Sequence, residues 1–134
     1  MLTPRELGIV QGDWAKIELV AESAATVFYD RLFLIEPNVE HLFQSNFAEQ
    51  KIKLIRMIGA AVHGLRDPDV LIPIVRKLGR KHFELGVRNE HYAKVGAALL
   101  WTLKQALGEA FTVEHEVTWT KVYGILAEEM KASA

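Results

Sequence analysis

Cysteine is missing from all 134 residues. Its absence excludes disulfides, thiolate metal sites, iron–sulfur clusters and cofactors tethered through thioethers. No charge of one sign predominates: 16 Lys and Arg stand against 17 Asp and Glu. A net charge of −1 gives no global positive field to gather nucleic acid or an anionic membrane, so neither is expected as a partner. No apolar run is long enough to span a bilayer. Familiar catalytic signatures are missing too. The histidines at 41, 63, 82, 91 and 115 never fall three or four apart, so there is no HExxH zinc motif. No GxSxG elbow, phosphate-binding loop or dinucleotide fingerprint occurs.

What is present reads as one globular domain over residues 1–134. Half the residues are apolar and a quarter are charged. A chain this long buries roughly two thirds of its unfolded surface and needs no covalent staples. At the N-terminus, Thr3-Pro4-Arg5-Glu6 combines an N-cap, a first-turn proline and a capping-box glutamate. Structure is expected from residue 3 onward, with no room for a signal peptide, and the expected location is cytoplasmic.

Single residues punctuate a helical pattern. Pro37, the Asn46-x-x-Glu49 box, Gly64, Asp67-Pro68, Gly86, Asn89, Gly108 and Thr112 mark the breaks. Between them apolar residues recur at spacings of three and four. Tyr92, Val95, Gly96, Leu99, Leu103 and Leu107 form one stripe; Trp119, Val122, Tyr123, Leu126 and Met130 form another. The fold class is all-α, with about seven helices near 3–19, 21–35, 37–43, 47–64, 69–84, 89–107 and 112–131.

The segment KLGRKHFELGV (77–87) raises the functional question. At about 100° per residue, Leu71, Val75 and Leu78 share a face with His82. The ordinary reading is a partly buried histidine whose charge suits a helix C-terminus. A pocket facing that stripe would change the reading. Gln50, Leu54, Met57 and Ala61 form a second stripe, with Lys53 at its edge. Tyr29 lies among Ala25, Leu32 and Phe33, and a phenol buried there needs a hydrogen-bond partner. Arg76, Lys77, Arg80 and Lys81 form a cationic cluster that suits either an anion or the helix dipole.

The order of these segments is more specific than any one residue. FYDRLFLIEPNVEHLF (28–43), Gln50, LGRKHFELGV (78–87), HYAKVGAALL (91–100) and WTKVYGILAEEM (119–130) closely resemble the globins. The nearest resemblance is to bacterial single-domain haemoglobins and the haem domain of flavohaemoglobins, and the LGRKH…LGEAFT…W…YG string also looks like neuroglobins. The resemblance implies a globin fold, a three-over-three helical sandwich enclosing haem b (iron protoporphyrin IX). It carries His82 onto the proximal iron ligand and Phe43 onto the porphyrin face. Tyr29, Gln50 and Leu54 become the distal lining, with Tyr29 and Gln50 donating to bound gas. Leu78 joins the proximal wall, Val87 an edge contact and Tyr92 the proximal network, while Lys53 and Lys81 become propionate partners.

Three departures qualify the likeness. Gln50 stands where vertebrate globins carry a distal histidine. No FAD or NAD domain is expected with these 134 residues. Counting from Tyr123-Gly124, Ala134 falls where flavohaemoglobins place a glutamate beside the proximal histidine, which lowers the expected peroxidase activity. The expected function is reversible binding of O₂, with NO and CO as further ligands, in a monomer or homodimer. The alternatives are a nitric oxide dioxygenase or weak peroxidase served by an external reductase, and a gas sensor.

Overall fold

The computed structural model describes residues 2–42 and 47–133. Helix α1 (Pro4–Glu18) starts as its capping box requires. The Thr3 hydroxyl accepts the Glu6 N–H at 3.1 Å, and the Glu6 carboxylate accepts the Thr3 N–H at 2.8 Å. Helix α2 (Ala21–Ile35) follows, and Pro37 opens a 3₁₀ helix, Pro37–Leu42. Then come α3 (Phe47–Gly64), α4 (Pro68–Glu84) and α5 (Asn89–Leu107). A 3₁₀ turn, Gly108–Ala110, leads into α6 (Val113–Ala132). Six α-helices and the longer 3₁₀ helix make up the seven elements expected, and no strand occurs among the described residues.

The differences lie at the ends. The segment expected as a helix over 37–43 is 3₁₀ over Pro37–Leu42, since a proline-led stretch of this length closes too few i→i+4 bonds to become α. Asn89 begins α5 instead of capping it; the Arg88 N–H is satisfied by Nδ1 of His91 at 2.9 Å. Asp67 makes no side-chain capping bond. Asn46, expected to cap α3, lies outside the described residues.

Close approach between helices is set by glycine. A Cβ on Gly79 of α4 would lie 2.6 Å from the Met130 Cα of α6, too close for any side chain there. A Cβ on Gly96 of α5 would lie 2.7 Å from the Tyr123 ring, which fills that gap from α6. The tyrosine is then tied down, its hydroxyl donating to the Tyr92 carbonyl at 2.6 Å. Val10, Trp14, Ile17, Phe28, Leu32, Leu99, Leu103, Trp119 and Val122 form the centre of the core, drawn from α1, α2, α5 and α6. Helix α2 packs on α5 and α4 on α6, while α3 rests on α1 and α2. Helices α3 and α4 are thus held mainly by other elements. They meet each other at a corner where a Cβ on Gly64 would come 2.9 Å from Leu71 Cδ1.

Candidate functional site

Helix α4 is amphipathic, and its inner face grades along its length. Leu71 and Val75 are buried, while Leu78 and His82, on the same face, are only partly covered. The helix ends one turn past His82, whose carbonyl accepts the Val87 N–H at 2.9 Å. Gly86 makes that reversal with φ at +104°, a conformation that side chains with a Cβ rarely adopt. It also lets the chain pass beside Leu42.

His82 has an unusual environment. Its Nδ1 is fully buried and has no hydrogen-bond partner among the described residues. Burial lowers its pKa below the ordinary histidine value, because the charged ring loses hydration. The imidazole is therefore held neutral, the form that binds a metal. The Tyr92 ring lies beside it, 6.4 Å between centroids and tilted by 50°. Metal-bound histidines usually donate their second ring nitrogen to an acceptor, and none reaches Nδ1 among the described residues. A buried polar atom left unpaired costs roughly 1–3 kcal/mol, so the arrangement is unexplained by packing alone.

Tyr29 and Gln50 come together from α2 and α3. The Tyr29 hydroxyl donates to the Gln50 main-chain carbonyl at 3.4 Å, a long bond that can be surrendered at little cost. Burial raises the phenol pKa to about 12, so it stays a protonated donor across the neutral range. Aromatic rings hold it in place: Phe28 at 5.2 Å and Phe47 at 4.9 Å, both edge-on, and Phe33 at 5.8 Å. Gln50, Leu54 and Ala61 are partly covered along one face of α3, and Met57 on that face is 38% exposed. Leu54 also lines a small apolar cavity of about 10 Å³, shared with Trp14, Phe28 and Leu99.

The other expected residues are distributed as follows. Val87 is partly covered just beyond the Gly86 turn, and Lys53 and Lys81 are exposed without ion pairs among the described residues. Phe43 and Ala134 lie outside the described residues. Among the described residues no group of His, Asp and Glu forms a multi-ligand metal site, so a metal held by protein side chains alone has no cage here.

Two features escaped the sequence reading. Among the described residues Phe47 is the ring closest to Tyr29, 4.9 Å between centroids. Its spacing from Lys51 and Leu54 is helical, yet the stripe had been started at Gln50. The second is the carboxylate of Asp13, 2% exposed, which accepts the Trp119 Nε1–H at 3.0 Å and pairs with His115 Nδ1 at 2.7 Å. An acid within the α1 stripe of Val10, Trp14 and Ile17 signals a buried partner, but sequence alone does not say which one.

Among the described residues six α-helices pack together, with a partly buried histidine on α4 and a tyrosine bonded to the main chain of Gln50 between α2 and α3. The globin family model matches residues 26–130. The chain belongs to the globin family. A flavohemoprotein of Bordetella parapertussis is 34% identical over 131 residues, covering 96% of this chain and 33% of that protein. A flavohemoprotein of Bacillus subtilis is 30% identical with the same coverage. The chain therefore spans about a third of the length of these curated relatives. A bacterial globin from Campylobacter jejuni superposes with a TM-score of 0.82 at 25% identity, covering 98% of this chain and 95% of that one. A hexacoordinated heme protein from an anhydrobiotic tardigrade superposes with a TM-score of 0.87 at 20% identity, covering 98% and 94%, a likeness of fold.

Proposed function

We propose that this chain holds a b-type haem on His82 and binds O₂ and related diatomic gases reversibly. The observation that carries the reading is the His82 ring: its fully buried Nδ1 has no partner among the described residues, and burial disfavours its charged form. The residues present fit a haem. Iron ligation needs a neutral imidazole among apolar neighbours, and Leu71, Val75 and Leu78 supply them. The facing stripe Gln50, Leu54, Met57 and Ala61 is mostly apolar and incompletely covered, as a surface meant for a flat apolar group would be. Relatives named as flavohemoproteins and a heme protein support the same reading.

The haem, when bound, supplies the iron that coordinates the gas. The remaining roles fall to this chain. His82 would offer its nitrogen lone pair to the iron. Tyr29 keeps its proton across the neutral range and, on releasing the Gln50 carbonyl, donates it to a gas ligand that accepts hydrogen bonds. Phe28, Phe33 and Phe47 keep the phenol from swinging away. Leu54, partly covered, adds apolar surface on that side.

Loading the protein with haem, reducing it, and cycling it between oxygenated and deoxygenated buffer tests this reading. Repeated recovery of the oxygenated spectrum is expected. Immediate oxidation to the ferric state at each exposure would contradict it. Rapid NO consumption with an external reductase would assign the site to a dioxygenase instead.

A further inference from the structure

We infer that the outer face of α4 around Lys77, Arg80, Phe83 and Arg88 is a docking surface for an acidic protein that donates one electron to the iron held on His82. The inference rests on the haem reading above and goes beyond it by locating where reducing power enters.

The first argument is charge. Residues 76–88 carry Arg76, Lys77, Arg80, Lys81 and Arg88 against Glu84 alone, a local +4, while the rest of the chain carries −5. Positive charge is therefore concentrated in the segment that carries His82, despite the net −1. Lys77, Arg80 and Lys81 are exposed and make no ion pair among the described residues; Arg76 is taken by Glu129 at 2.9 Å.

The second argument is that the helix does not want this arrangement. Arg76–Arg80, Lys77–Arg80 and Lys77–Lys81 are like-charge neighbours three or four apart, each unfavourable by roughly 0.2–0.5 kcal/mol. The helix dipole offsets such repulsion only within the last turn, and Lys77 and Arg80 precede it. Cations concentrated against helix preference point to a use outside the helix.

The third argument is the apolar group between them. Phe83 is 48% exposed, with the Arg88 guanidinium 4.6 Å above its ring. An exposed aromatic covered by an arginine suits a protein contact, since aromatics and arginine are enriched at interfaces. Lys77 to Phe83 spans about 9 Å of helix. That footprint suits the small, transient encounters of electron transfer, and the negative remainder of the surface opposes a long polyanion. Phe83 adjoins His82 in the chain, so a docked donor sits beside the iron's own ligand. One electron leaves the donor, which is oxidised, and ferric iron becomes ferrous; no bond forms or breaks and no proton moves.

The test uses haem-loaded full-length protein and two probes: Fe(II)–EDTA, a dianion, and hexaammineruthenium(II), a dication. The double variant Lys77→Glu/Arg80→Glu leaves Lys81 and the haem-facing side untouched. Reduction by the anionic probe should slow by about tenfold or more in the variant and fall with added salt, while the cationic probe should gain. Independently, titration with redox-inert hexacyanocobaltate(III) should shift amide resonances of residues 77–88 in the wild type and not in the variant. Equal response of both reductants, or shifts elsewhere, would overturn the inference. So would capture of the wild type alone by anionic vesicles or duplex DNA at about 0.15 M salt, which would assign the face to another partner. A Soret band that shifts with CO in both proteins keeps the haem reading standing whatever the reductants do; its absence in the wild type removes both.

Discussion

The side of the molecule where α1 meets α6 and the side where α3 faces α4 are built from the same kinds of residue to opposite ends. Between α1 and α6 most polar groups are paired, Trp14 Nε1 being the exception among the described residues. Asp13 is shared by Trp119 and His115, Arg5 bonds Glu114 at 2.6 Å, and Lys121 bonds Glu6 at 3.0 Å. The Trp14 and Trp119 rings lie 6.4 Å apart in the buried core. On the other side His82 Nδ1 has no partner, Tyr29 makes a long bond to a carbonyl, and apolar residues such as Met57 and Ile74 stay open to solvent. One half spends its polar groups on holding the fold. On the other, the buried His82 Nδ1 has no partner among the described residues, and in the proposed reading a ligand claims that ring. If this division is right, substitutions on the two sides should affect different measurements.

The largest stability effect belongs to the closed side. Asp13→Ala would leave the buried Trp119 N–H and His115 without their acceptor. We expect a loss of about 2–4 kcal/mol in global stability, read from urea unfolding, because stranded buried donors cost roughly 1–3 kcal/mol each. Haem uptake at low temperature and gas release rates should stay close to wild type. A change in ligand kinetics comparable to the change in stability would dissolve the contrast between the halves.

Tyr29→Phe should do the reverse. Hydrogen bonds to a charged acceptor contribute about 1.5–3 kcal/mol, so O₂ release should accelerate by about tenfold to a hundredfold. Release of CO, a poorer acceptor, should change within a few fold, and unfolding should barely move. Gln50→Leu should act in the same direction more weakly, and the double variant should be non-additive because the two residues touch. Equal acceleration of both gases, measured by stopped-flow displacement, would make Tyr29 a steric gate.

The smallest expected effect is on pH dependence. Tyr29, Tyr92 and Tyr123 all have pKa values raised by burial, Tyr29 to about 12. A group whose folded pKa lies above its unfolded value contributes stability that is whole below the unfolded value near 10 and declines as pH rises toward the folded one. Unfolding measured from pH 9 to 12 should therefore show stability falling above about 10, with a shallower fall in Tyr29→Phe. An identical slope in that variant would show that Tyr29 is not among the groups responsible.

Much of the fold was legible because its signals are local. Thr3 and Glu6, Pro37, Gly86 and Thr112 each act within a few residues, and the interior stripes of α5 and α6 repeat often enough to survive an error of one position. The helix ends at Asn89 and Asp67 were less legible, since either residue type caps only when the preceding backbone turns the right way. Tyr29, Gln50 and His82 stood out through their order along the chain. Phe47 and Asp13 did not, because their meaning depends on partners on other helices: Tyr29 in one case, Trp119 and His115, more than a hundred residues away, in the other.

The central claim is that His82, left unpaired by its own fold, is reserved for iron. The most direct measurement is the absorption spectrum of wild type and His82→Ala, each supplied with one equivalent of haem, reduced and exposed to CO. We predict a Soret band in the wild type that shifts on CO binding. In the variant, haem retention should weaken by more than the roughly 10–100-fold that loss of an outer-shell partner costs a metal site, and added imidazole should restore the spectrum. A variant that keeps the wild-type spectrum and affinity would show that another residue holds the iron and would contradict the account at its root.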